Sequence, residues 1–466
     1  MKYVSTRGRA PVLSFDDVIL TGLASDGGLY VPERWPALRS ADLALWSQGG
    51  RWAELAIEVM RPYVEGAVDE GAFGQLVHDA VRAFDDPADP CPLVDLGDGL
   101  WLLELFHGPT LAFKDVALQV VGRLFDHLLA ERGERRTILV ATSGDTGSAA
   151  IEACRGREAL DIVVLFPAGR VSEIQRRQMT TVLDANVRCV AVKGTFDDCQ
   201  DLVKALFTDQ DLNRRLSLSA MNSINWARVM PQVAYYVAAA ASLGAPERQV
   251  SFAVPTGNFG NVFAGEVARR MGVPIGQLVV GTNRNDILHR LLRTGVMEIG
   301  EVHPTTSPSM DIAVSSNFER LLFELTGRDG AAVTDLLTRF RHDRRVDLGD
   351  DRLGPVREVF ASARVDDDEV ASIMADTLER TGVLVDPHTA VGLGAAAVCR
   401  RSSEEPMVVL ATASPAKFPD AVEAATGVRP ALPPRLEGLL DRPERYATLP
   451  ADLDAVRAHV EAPARP

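Results

Sequence analysis

The chain has 466 residues, 46% hydrophobic and 24% charged, with a net charge of −15 and no long acidic run; this argues against nucleic acid or an anionic membrane as a general partner and leaves room only for a local cationic pocket. Five Cys, an odd count without CxxC spacing, and eight scattered His argue against a disulfide framework and against any metal site. The N-terminus lacks the apolar core of a signal peptide, and no apolar run is long enough to span a bilayer, so the cytoplasm is the expected location.

Residues 1–95 alternate short helical patterns with Gly/Pro turns such as SDGGLYVPE, and 51–67 and 70–84 read as amphipathic helices. Pro87, Pro90 and Pro92 mark a boundary. Strand and helix patterns then alternate: a strand at 100–105, a helix at 116–131, strands at 137–142 and 161–166, a helix at 173–183, a strand at 187–192 and a helix at 196–207. Residues 233–243 read as a buried helix, and further strands are expected at 250–255, 278–281 and 407–412. Strands spaced by helices imply parallel sheets covered on both faces. The charged stretch 327–353 reads as a solvated helical insert, and the Pro-rich tail from about 429 is expected to wrap the surface.

Two strands run directly into glycine loops that open helices: TILVAT into SGDTGSAA, and Val250 to Pro255 into TGNFGNVFAG. Such a junction aims free backbone N–H groups and the positive helix end at one spot, which suits an anion. Neither loop is a Walker A motif or a GxGxxG in its usual register, so nucleotide binding is poorly supported. Asp145-Thr146-Gly147 has the letters of an aspartic-protease signature, but a strand-to-helix junction is the wrong setting for a carboxylate dyad. Glycines that merely permit a tight turn remain the alternative for either loop alone.

Lys114 lies in HGPTLAFKD, among apolar neighbours. An amine held in such surroundings loses proton affinity and becomes a nucleophile toward carbonyls; a lysine that snorkels to water from a buried turn is the competing reading. A lysine and two anion cradles together suit pyridoxal 5'-phosphate, which needs an amine for its aldehyde, a cradle for its phosphate and a second cradle for the substrate carboxylate.

The motifs HGPTLAFKDVALQ, ATSGDTGSAA, NSINWAR, PTGNFGNVFAG, TNRNDIL, SPSMDIAVSSNFERLL, DPHTAVG and ASPAKF, in this order, resemble the threonine synthase family in its long form with an N-terminal extension. The resemblance implies an α/β fold of pyridoxal-phosphate fold type II, tryptophan synthase β-like. Two parallel or mixed α/β subdomains within 96–430 would hold the site between them, with a mostly helical extension at 1–95 and a tail at 431–466. Lys114 would be both the cofactor lysine and the catalytic acid/base. Phe113 would pack near the cofactor ring, Gly257, Asn258, Phe259, Gly260 and Asn261 would cradle its phosphate, and Thr412 would hydrogen-bond its nitrogen. Ser143, Gly144, Asp145 and Thr146 would hold the substrate carboxylate. Arg170, Ser172, Gln175 and Arg228 are candidates for the substrate phosphate, and Asn222 and Asn225 either order the site or cap a helix. The implied reaction converts O-phospho-L-homoserine and water to L-threonine and phosphate. A related phospho-lyase reaction, releasing phosphate and a 2-oxo acid, shares the same motifs. Members often carry His where this chain has Ser414 and Asp where it has Asn261.

Overall fold

A computed structural model describes residues 1–462. The apolar β-branched runs form strands buried on both faces, as parallel strands flanked by helices must be. The larger sheet has six strands, in the order Phe360–Arg364, Ile275–Thr282, Val250–Pro255, Met407–Ala411, Leu100–Glu104, Leu93–Asp95. Its neighbours are parallel except for the antiparallel edge strand Leu93–Asp95, so the sheet is mixed. The second sheet has five parallel strands, in the order Ala447–Pro450, Val187–Lys193, Leu160–Pro167, Arg136–Ala141, Leu218–Ser219. Every position of Val250–Pro255 and of Met407–Ala411 is buried.

The helix Trp226–Ser242 is buried along almost its whole length and ties the parts together. Trp226 is fully buried against the rings of Tyr3, Trp35 and Tyr63, at 6.3, 5.8 and 5.5 Å. Residues of the N-terminal extension, such as Phe15 and Tyr63, thus share one continuous core with Val164 and Val254 of the two sheets. The helix Lys114–Arg132 packs closely on Asp145–Cys154; a Cβ at Gly122 would stand 2.3 Å from the Ala153 carbonyl oxygen, which explains a glycine inside that helix.

The charged stretch 327–353 does contain an exposed-faced helix, Gly330–Asp343, but Val333, Leu336 and Phe340 anchor it. It also supplies the strand Arg345–Asp347, which pairs with Val296–Glu298. The tail does more than wrap the surface. Ala447–Pro450 extends the second sheet beside Val187–Lys193, and Val456 and Val460 of the helix Leu453–Glu461 are buried in that sheet's core. Covering a sheet edge in this way removes an exposed row of unpaired N–H and C=O groups. Of the expected tail, residues 463–466 lie outside the described part.

Candidate active site

Lys114 is the first residue of its helix, and its place is fixed by the strand beside it. Phe113 N–H donates to Thr412 O at 2.9 Å and Ser414 N–H donates to Leu111 O at 3.0 Å, so the segment before Lys114 runs alongside the chain leaving Met407–Ala411. Leu111 takes a left-handed conformation, φ 61°, to make the turn. Asp115 closes it, accepting from Thr110 N–H at 2.8 Å and Thr110 Oγ1 at 2.7 Å; burial pushes its carboxyl up to about 6.

The two glycine loops meet Lys114 at the carboxyl ends of the strands, where open α/β sheets place ligands. In the first, Thr142 Oγ1 accepts from the N–H groups of Gly144 and Gly147, both at 2.9 Å, and Gly144 sits at φ 136°, where a side chain would be strained and would also strike Gln175. In the second, Gly257 lets the backbone approach Ser309, whose carbonyl oxygen would be 2.9 Å from an added Cβ. Phe259 adopts φ 63°, an uncommon conformation for an aromatic residue. Its ring is held against Phe318 and Phe360, at 5.5 and 5.9 Å. Phe113, Lys114, Asp145, Thr146, Arg228, Thr412 and the loop from Gly257 to Asn261 line one cavity. Ser223, Gln232, Thr256, Ser309 and His388 add polar groups to its wall.

The charge distribution there departs from the apolar setting expected for Lys114. Lys114 Nζ donates to Asp145 Oδ2 at 3.0 Å and lies 4.8 Å from the Phe113 ring centre. Asp145 also accepts from Lys417 Nζ at 2.8 Å, Gln175 Nε2 at 3.0 Å and Ser309 Oγ at 3.1 Å. One carboxylate thus serves two buried ammonium groups. Burial works against its ionisation, but Lys114 and Lys417 outweigh that and hold the Asp145 carboxyl well below the usual range. Burial lowers the proton affinity of Lys114, and the pull of Asp145 offsets this only in part, because Lys417 and Arg228 push the same way as burial. Lys114, Lys417 and Arg228 against Asp145 leave the site with excess positive charge, suited to an anionic ligand.

The residues singled out in the sequence are not all at the cavity. Asp145 and Thr146 form part of its wall, with Ser143 and Gly144 just before them. Arg228 is buried in the wall; Nη1 donates to Met221 O at 2.8 Å, and burial brings its pKa down to about 10. Gln175 and Ser172 lie behind Asp145, forming a capping box, and Ser172 Oγ also donates to Lys417 O at 3.1 Å. Asn225 is fully buried as a helix cap, its Oδ1 accepting from Ala227 N–H and its Nδ2 donating to Ile19 O at 2.8 Å. Asn222 precedes Ser223 of the cavity wall. Arg170 is exposed and outside the wall, because the tight turn after the strand Leu160–Pro167 carries it outward. Asn261 Oδ1 accepts from Tyr235 and Tyr236, at 2.5 and 3.0 Å. Ser414 caps a short turn, accepting from Ala416 N–H at 3.3 Å.

Lys417, Ser309 and His388, which the sequence does not single out, also reach the site. His388 Nε2 accepts from Ser309 N–H at 3.2 Å, which places the ring proton on Nδ1, 2.7 Å from Asp386 Oδ2. Only a lysine flanked by Ala416 and Phe418 hinted that Lys417 would be buried.

The residues present fit a phosphorylated aldehyde. Lys114 offers an amine of lowered proton affinity. Two loops present helix N-termini. Asn261 Nδ2 and Arg228 Nε are buried donors without a hydrogen-bond partner among the described residues, a cost that an anion would remove. Thr412 adds a hydroxyl to the same wall. These features define a pyridoxal-phosphate-dependent enzyme, and the family profile described as "Pyridoxal-phosphate dependent enzyme" matches residues 88–336. Those described as "Threonine synthase N terminus" and "Threonine synthase, C-terminal" match residues 2–81 and 389–460. The threonine synthase of Pseudomonas aeruginosa is 53% identical, over 99% of this chain and 98% of that one. A crystal structure of pyridoxal-phosphate-bound threonine synthase from Brucella melitensis superposes with a TM-score of 0.96 at 51% identity, covering 100% of both chains. That of threonine synthase from yeast superposes with a TM-score of 0.93 at 37% identity, covering 99% of this chain and 98% of that one. The chain belongs to the threonine synthase family.

Proposed function

We propose that the chain converts O-phospho-L-homoserine and water to L-threonine and phosphate. The observation that carries this reading is the buried Lys114 amine in a cavity walled by two helix N-termini and the guanidinium of Arg228. Pyridoxal 5'-phosphate, when bound, supplies the electron sink for carbanions formed at the substrate carbons. Lys114 Nζ would hold the cofactor aldehyde and would also be the group placed to move protons at the substrate carbons. Asp145 keeps that amine within reach of the cavity. Gly257, Asn258, Phe259, Gly260 and Asn261 would hold the cofactor phosphate, Thr412 would offer its hydroxyl to the ring nitrogen, and the helix N-terminus at Asp145 and Thr146 would bind the substrate carboxylate. Arg228 takes the substrate phosphate. No described helix is long and apolar enough to cross a membrane, and five free cysteines, four of them buried, suit the cytoplasm as its location.

Incubation with O-phospho-L-homoserine, followed by NMR and a phosphate assay, should show threonine and phosphate formed in equal amounts. A 2-oxo acid in place of threonine would establish the phospho-lyase reaction instead. For Arg228→Met, loss of a charged hydrogen bond worth about 1.5–3 kcal/mol should raise KM roughly 10- to 100-fold. Arg170→Ala, at an exposed site, should leave KM close to that of the unaltered enzyme. Steady-state kinetics on the two variants checks both, and equal effects would remove Arg228 from this role.

A further inference from the structure

The glycine loop after Val250–Pro255 does not hold its own shape. Its carbonyls are tied back by the distant segment SSNFERLL. Ser315 Oγ donates to Gly257 O at 2.7 Å. Asn317 donates to Asn258 O twice, from its backbone N–H and from Nδ2, each at 3.0 Å. Across a trans peptide the C=O and the following N–H point in opposite directions. Fixing the carbonyls of Gly257 and Asn258 therefore fixes the N–H groups of Asn258 and Phe259 on the other side of the chain. All three residues line the cavity, and neither N–H meets an acceptor among the described residues.

Asn317 is itself held. Its Oδ1 accepts from Arg320 Nη1. Arg320 also donates from Nε and Nη2 to Tyr30 O, both at 3.2 Å, and from Nη2 to Ile224 O at 2.6 Å. The side chain is fully buried, and all these acceptors are neutral oxygens. Burying a cation in this way is costly compared with an apolar filler. What it provides is a planar fork that locks several oxygens in one geometry. Tyr30 belongs to the strand Tyr30–Pro32, paired with Tyr3–Ser5. A continuous line of hydrogen bonds thus runs from the N-terminal strand pair through Arg320 and Asn317 to the glycine loop.

We propose that Ser315, Asn317 and Arg320 are positioning residues for the cofactor phosphate, aiming the Asn258 and Phe259 N–H groups at it and coupling that aim to the N-terminal strand pair. The proposal rests on the assignment of this loop to the cofactor phosphate. The test compares the binding of pyridoxal 5'-phosphate and of pyridoxal, which lacks the phosphate, to full-length enzyme freed of cofactor. Absorbance reports binding, and thermal melts check folding. The unaltered protein should strongly prefer the phosphorylated form; equal binding of the two would overturn the loop assignment itself. Asn317→Asp keeps the shape and the Arg320 contact but loses the Nδ2 donor. It should reduce the preference by about tenfold, the loss of one or two well-aimed hydrogen bonds, with pyridoxal affinity unchanged. An unchanged preference, or an equal fall for both ligands, would overturn the positioning role. Should Asn317→Asp fail to fold, Ser315→Ala reads the same effect from the Gly257 end: a reduced preference supports the role, and the wild-type preference overturns it.

Discussion

Lys114→Ala is expected to lower turnover by about 10³-fold or more, since it removes both the amine that holds the cofactor aldehyde and the acid/base that follows. The fold should survive this change. Asp145, the partner left behind, keeps Lys417 at 2.8 Å together with Gln175 and Ser309, so no buried carboxylate is stranded. The expected signature is therefore a folded protein, with a melting temperature near that of the unaltered enzyme, that gives no borohydride-stable link to the cofactor at residue 114. Phosphate release from O-phosphohomoserine and mass spectrometry of the reduced protein measure the two effects. Turnover close to normal would mean that some other group performs the chemistry.

Asp145→Asn should do the opposite, injuring the fold as well as the site. The substitution keeps the shape but leaves the buried ammonium groups of Lys114 and Lys417 without their counter-charge. Breaking a buried pair from one side typically costs about 3–5 kcal/mol. The pH dependence has a definite sign. Asp145 is held well below its ordinary 3.8. Its contribution is complete above that value and fades as pH falls below it through the depressed folded-state value. Lys114 is lowered from 10.5. Between its lowered value and 10.5 the unfolded chain binds the extra proton, so this group's effect on stability improves as pH rises through that window. Denaturant unfolding of the cofactor-free protein should show the loss for Asp145→Asn near neutral pH and a shallower decline in acid. A loss below about 1 kcal/mol would place the stability of this cluster in its hydrogen bonds rather than its charges.

Much of the fold was legible because its signals are local. The runs TILVAT and MVVLA are β-branched and apolar, and each became a buried parallel strand. Lys114 and the two glycine loops stood out for the same reason: a lysine between apolar residues and a glycine at a strand-to-helix junction are visible in a few letters. The edge strands were harder. Leu93–Asp95 and Ala447–Pro450 are short and partly exposed, and only pairing with Leu100–Glu104 and Val187–Lys193 makes them strands. Arg170 and Asn225 show the limit from the other side: nothing in the local letters says that Arg170 faces solvent, and the choice for Asn225 between ordering the site and capping a helix is made only by the fold, which buries it as a cap.

The sequence by itself determined the class of chemistry: an amine nucleophile, two anion cradles and a set of motifs in family order. Those depend on residue type and short spacing, which the chain carries wherever it folds. The tertiary structure alone decided what surrounds the amine. Lys417 lies 303 positions after Lys114 in the numbering, and Ser309 lies 164 residues from Asp145, yet Lys114, Lys417 and Ser309 all meet at the Asp145 carboxylate. Electrostatic energy depends on distance in space and on burial, and neither is written in the spacing of residues along the chain.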